Sequence, residues 1–195
     1  MSHDNAFSET RSPIRRALEA VEKVSALDGV AAMTARVLGP ALSGGPGNVL
    51  RGSWLGHPIH PVLVTVPIGA WTAAPVLDLT DQPEAAQTLI ALGLAAAVPA
   101  AVAGLAEYTT LDVPQRRVAL VHAGSNSVAM TALVASMAAR RAGRRGQAVA
   151  LTLAGLAVTG ISGALGGHLS YVQAAGVQRE AMPAVPGVDT LPGGS

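Results

Sequence analysis

The sequence predicts an all-α fold: an integral membrane four-helix up-down-up-down bundle preceded by an N-terminal amphipathic helix. Three observations carry that prediction. Half of the 195 residues are hydrophobic and mean hydropathy is +0.41. Only 13% are charged, against about 25% in a soluble domain, too few to cover a water-facing surface. The apolar residues are mostly Ala, Val, Leu and Gly with 3% aromatics, the chemistry of helices packed closely in lipid rather than of a soluble core.

Taken in order, Ser12-Pro13 is a helix start, an N-cap followed by proline at the first helical position. Ile14, Leu18 and Val21 then share a stripe, which predicts an amphipathic helix to about Leu27, broken at Asp28-Gly29 and resumed through Leu38. That helix either covers the bundle or lies on the membrane surface. The Gly/Pro/Ser stretch from Gly39 to Asn48 reads as a linker. Four apolar runs follow, at about 61–80, 85–111, 118–139 and 147–172, each close to the ~20 residues that cross ~30 Å of hydrocarbon. Pro67 and Pro75 should kink the first run, with Thr65 and Thr72 placed to satisfy the freed carbonyls. The chain thus divides into the amphipathic helix and linker (1–48), the membrane domain (49–178) and a disordered tail (179–195).

Composition excludes several function classes. A net charge of +1 lacks the basic surface that nucleic acid requires. With no cysteine the chain can hold no disulfide, zinc–thiolate site or iron–sulfur cluster. No Walker loop, dinucleotide fingerprint, nucleophile elbow or H-E-x-x-H occurs. The expected setting is the lipid bilayer of the cell inner membrane. Of the thirteen Lys and Arg, only Arg140, Arg141, Arg144 and Arg145 fall opposite the termini, which leans the termini to the cytoplasm. Asp78, Asp81 and Glu84 share that opposite face and should pair with these arginines. Trp54, Tyr108 and Tyr171 read as interfacial anchors.

The histidines carry the functional expectation. His57 and His60 precede the first span, His122 lies one turn into the third, and His168 lies about one turn before the end of the fourth. In an antiparallel bundle all four reach one level, joined by Glu107. Intramembrane ionisable groups are costly and point to function, and imidazole is both a common metal ligand and the usual axial ligand of b-type haem. The candidate cofactor site is therefore His57, His60, His122, His168 and Glu107, with His60, His122 and His168 as metal ligands. His57 and His60, three residues apart, cannot both be trans ligands of one iron, since their Cβ atoms lie about 5–6 Å apart if helical. Asn126 is placed to support His122. Gly160, Gly163, Gly166 and Gly167 either pack helices closely or clear a slot for a macrocycle. The expected role is binding haem b or a transition metal for electron transfer, more as a subunit than as an enzyme. The competing expectation is a non-catalytic scaffold in which the histidines only organise the interface.

Gly56-His57-Pro58-Ile59-His60-Pro61, with Val66-Pro67-Ile68-Gly69-Ala70-Trp71 and Asp78-Leu79, resembles the first-span motif of a bacterial four-transmembrane family, domain of unknown function 2231. His122 with Asn126, and Gly166-Gly167-His168-Leu169-Ser170-Tyr171 with Gly176-Val177, are similar to its third- and fourth-span motifs. The resemblance covers about residues 50–178. Relatives are often fused to a Rieske ferredoxin domain, which implies a redox setting. Lacking cysteine, this chain would need a separate Rieske or ferredoxin-type partner.

Overall fold

A computed structural model describes residues 12–175, and every regular element among them is helical. Four helical stretches are long and apolar enough to cross a membrane: His60–Leu79, Pro83–Tyr108, Val113–Arg141 and Arg145–Val172. The first comprises α4 (His60–Leu63) and α5 (Thr65–Leu79); α6 is Pro83–Tyr108, α7 Val113–Arg141 and α8 Arg145–Gly167, continued by a π-helical turn, His168–Val172. Before them come α1 (Pro13–Val21), α2 (Asp28–Leu42) and α3 (Gly44–Arg51). His3 and the tail 179–195 lie outside the described residues.

The four long helices pack together, α5 on α6 and α8, and α7 on α6 and α8. Partners run in opposite order along neighbours. The Trp71 indole donates to the Ile90 carbonyl (3.3 Å), and His60, further back on the first span, reaches Ala100, further along α6. Small residues make these approaches: Ala74, Ala86, Ala106 and Ala148 are fully buried, while Val66, Val76, Leu92, Leu153 and Ile161 are exposed, as a lipid-facing surface requires. Close packing is the use made of Gly93, where a Cβ would sit 2.2 Å from the Trp71 Nε1, and of Gly155, where it would sit 3.2 Å from Leu133 and the Ala129 carbonyl.

At the far end of α5 the expected pairing is present. Arg140 holds Asp78 with two bonds of 2.7 and 2.6 Å in a pair that is 5% and 2% exposed. Arg145 bonds Asp81 at 2.7 Å and the Asp78 carbonyl at 3.0 Å, and Glu84 lies in the first turn of α6.

The N-terminal region departs from expectation in two ways. Ser12 caps α1 as predicted, accepting from the Arg15 N–H at 3.2 Å, but α1 stops at Val21 and Asp28 opens α2 instead of breaking a helix. The stretch predicted as a linker is helical, because α3 is held from outside: Arg51 donates to the Leu42 and Ala106 carbonyls at 3.0 and 3.2 Å. Such tertiary contacts outweigh the poor propensity of Gly44, Gly45 and Gly47. Of the two expected placements the structure takes the first: α1–α3 dock on the bundle, since Arg117 grips Asp28 with bonds of 2.6 and 2.7 Å and the Glu22 carbonyl at 2.6 Å. Arg117 is the chief reason that the Asp28 carboxyl titrates below the ordinary aspartate value.

Smaller corrections concern the spans. α7 begins at Val113 because Asp112 and Gln115 form a capping box (2.9 and 3.0 Å). Thr65 and Thr72 bond the carbonyls of Val62, Ile68 and Gly69, not those freed by Pro67 and Pro75. Tyr108 is no interfacial anchor: it is 5% exposed and donates to the Ala31 carbonyl at 3.1 Å.

Candidate functional site

Two of the anticipated histidines meet. His60 opens α4 and His122 projects from α7, with ring centroids 6.3 Å apart and planes at 86°. Each ring is tied to the helix beside it. His60 Nδ1 lies 2.8 Å from the Ala100 carbonyl, and His122 Nδ1 lies 2.8 Å from the Ser162 carbonyl. A carbonyl only accepts, so both Nδ1 atoms carry the proton, and in the neutral ring the lone pair is on Nε2. The same division is seen in metal-ligating histidines, whose other nitrogen donates to a carbonyl or carboxylate. On His122 that lone pair accepts from the Asn126 amide at 3.1 Å, the support expected of Asn126.

Glycines leave room for these rings. A Cβ on Gly104 would stand 3.1 Å from the His60 Cε1, and one on Gly166 would stand 3.0 Å from the His122 Cε1. Gly104 carried no signal in the sequence taken alone, because nothing there says which face of α6 His60 meets. Gly163 packs nothing, since a Cβ there would meet no atom within 4 Å; it lines a cavity of about 330 Å³ together with both histidines, Asn126, Trp71 and Tyr171. That volume lies at the small end of sites that take organic ligands. All four spans contribute to the lining, which is largely apolar and holds no Lys or Arg.

The other anticipated residues stand apart from this pair. His168 is buried, and its Nε2 meets the Glu22 carboxylate near the end of α1. The π-helical turn sends its ring toward the N-terminal helices while Ser170 and Tyr171 line the cavity. His57 is exposed in the turn before α4, with Nδ1 3.1 Å from the Pro58 carbonyl. Glu107 faces the backbone N–H of His60 and the Arg51 guanidinium, and its Oε1 has no hydrogen-bond partner among the described residues. It therefore touches the start of the His60 helix and not the imidazole. Among the described residues, no group of three or more His, Asp or Glu could hold a metal ion.

Residues 56–179 match the model of a family described as a predicted membrane protein (DUF2231). The chain belongs to this family. The match spans all four membrane-crossing helices and every anticipated site residue, and it leaves out α1–α3. The chain is thus a multi-pass DUF2231 membrane protein in a lipid bilayer. No curated protein and no solved structure is significantly similar to it.

Proposed function

We propose that the chain is a cofactor-binding subunit in which the cavity takes a b-type haem or a transition-metal ion, held by His60 and His122, for one-electron transfer. The observation that carries this reading is the imidazole pair itself: two spans each commit a ring with a fixed tautomer to the wall of one cavity. Two imidazole nitrogens each about 2.0–2.1 Å from one metal put the ring centroids roughly 5–6.5 Å apart, a range that includes the observed 6.3 Å.

The donor count favours haem over a bare ion. A tetrahedral ion wants four ligands, and only two imidazoles converge here. A haem brings most of its iron's ligands with it and would need only His60 and His122 from the chain. When bound, such a group supplies reversible one-electron chemistry. The chain's part is to orient the rings through the Ala100 and Ser162 carbonyls and to exclude water with Trp71 and Met130. Glu107 supports the His60 backbone; His57 and His168 lie outside the ligand set. The electron partner would be a separate Rieske or ferredoxin-type protein. The membrane would be the bacterial inner one, with the termini cytoplasmic.

One observation favours the scaffold reading. Both nitrogens of His122 already have partners, and each histidine bridges two spans, as interhelical polar staples do. An absorption spectrum of the detergent-purified chain, expressed with a haem precursor, separates the two. A Soret band that shifts on reduction and is lost in His60→Ala and His122→Ala supports haem, and a colourless sample with stoichiometric metal supports the ion. A colourless, metal-free chain whose His→Ala variants merely melt earlier leaves the scaffold.

A further inference from the structure

The hairpin α4–α6 and the hairpin α7–α8 correspond position by position at a constant offset of sixty-two. α5 ends at Leu79 and α7 at Arg141; α6 begins at Pro83 and α8 at Arg145. The turns between them share one conformation. Asp81 (φ 58°) matches Gly143 (φ 70°), and the Gln82 N–H donates to the Leu77 carbonyl (2.8 Å) as the Arg144 N–H donates to the Ala139 carbonyl (2.9 Å). Ala86 and Ala148 are both fully buried. Gly93 lies against Trp71 as Gly155 lies against Leu133. The site repeats in the same register: His60, the Ala100 carbonyl and Gly104 in one hairpin match His122, the Ser162 carbonyl and Gly166 in the other.

The corresponding positions also meet each other. His60 faces His122 at one end of the helices, and Asp78 binds Arg140 at the other. Only a residue near a two-fold axis touches its own counterpart, and two such meetings at opposite ends run that axis lengthwise between the first and third spans. The same operation exchanges the packing of α5 on α8 with that of α7 on α6. Parallel repeats about an axis along the membrane normal are one of the ways membrane proteins build a shared site.

We propose that the four-span domain is two copies of one hairpin module about a pseudo-two-fold axis, and that a single ligand sits on that axis with His60 and His122 as equivalent partners. Gly104 and Gly166 are then equivalent positioning residues. The ligand clause rests on the cofactor reading; the duplication does not. The class of ligand follows from the symmetry: a single metal centre offering two equivalent open positions, one per chain. The departures from symmetry in the cavity lining include Asn126, whose counterpart is Val64, Trp71, whose counterpart is Leu133, and Tyr171, whose counterpart is Thr109; of these Asn126 is the one that touches a histidine.

The test has an arm without ligand and an arm with haemin, both on the full chain in detergent. In the first, Gly104→Val lowers the melting temperature. Adding His60→Ala removes that loss, whereas adding His122→Ala does not. Gly166→Val behaves the same way with the histidines exchanged. Coupling confined to one hairpin overturns the duplication whatever the ligand does. In the second arm, titration followed in the Soret region gives one haemin per chain. His60→Ala and His122→Ala each weaken it by about ten-fold or more, and the swap of Val64→Asn with Asn126→Val leaves it nearly unchanged. One histidine variant with unchanged affinity overturns the on-axis ligand and cuts the cofactor reading back to a haem held by the other histidine alone. No binding by the parent chain overturns both of those, and mirrored melting cycles would then support the duplication alone.

Discussion

The imidazole of His122 is held on three sides: by the Ser162 carbonyl, by the Asn126 amide and by the bare Cα of Gly166. Of these Asn126 is the most informative to change, because its amide occupies the nitrogen a metal would use. Asn126→Val is expected to cost the ligand-free chain about 0.6–1.7 kcal/mol, the range of a polar contact between membrane helices. On the cofactor reading it tightens haemin binding, since nothing then competes for Nε2. Thermal unfolding in detergent and a Soret titration read the two effects. Membrane depth was legible at this scale: His60, His122 and His168 do lie near one end of their spans. Direction was not. His168 turns to Glu22 and Tyr108 to Ala31, because residues at one depth can point to opposite sides of a helix, and rotation is set by neighbours.

Helix boundaries followed local signals wherever the sequence carries an explicit cap. Ser12-Pro13 starts α1, and Asp112 with Gln115 starts α7 by a capping box that lies ahead of the apolar run from Val118. The segment from Gly39 to Asn48 looked like a linker by composition and is helical because Arg51 fastens α3 to Leu42 and Ala106. Arg51→Ala should therefore increase amide exchange across α3 while the spans stay protected, which hydrogen exchange measures. The hairpin repeat was equally hidden. Where most positions are Ala, Val, Leu or Gly, chance matches are frequent, and the informative correspondences are of conformation and contact. Within one hairpin, Gly93→Ala would drive a Cβ to 2.2 Å from the Trp71 indole. Forcing a buried ring out of place costs about 1–3 kcal/mol or more, and tryptophan fluorescence would follow the lost bond to Ile90.

Two of the ionic clasps that join the parts of the molecule make testable demands. Asp78–Arg140 ties the hairpins together in a nearly dry setting, so Asp78→Ala, which leaves a buried guanidinium alone, should cost about 3–5 kcal/mol in thermal unfolding. Asp28–Arg117 ties the N-terminal helices to α7. Asp28 titrates below its ordinary value when docked, so the clasp contributes in full above the unfolded aspartate value, about 3.9, and is lost as pH falls through the docked value. Limited proteolysis of α1–α2 should accelerate in that acid range, and Asp28→Asn should weaken the acceleration. By itself the sequence determined four apolar helices and the pairing of Asp78 and Asp81 with arginines at one end, because span length and charge are local properties of a chain in lipid. Only the tertiary structure decided that His60 and His122 share a cavity while His168 joins Glu22, because the facing of a side chain depends on how each helix is rotated by the helices packed against it.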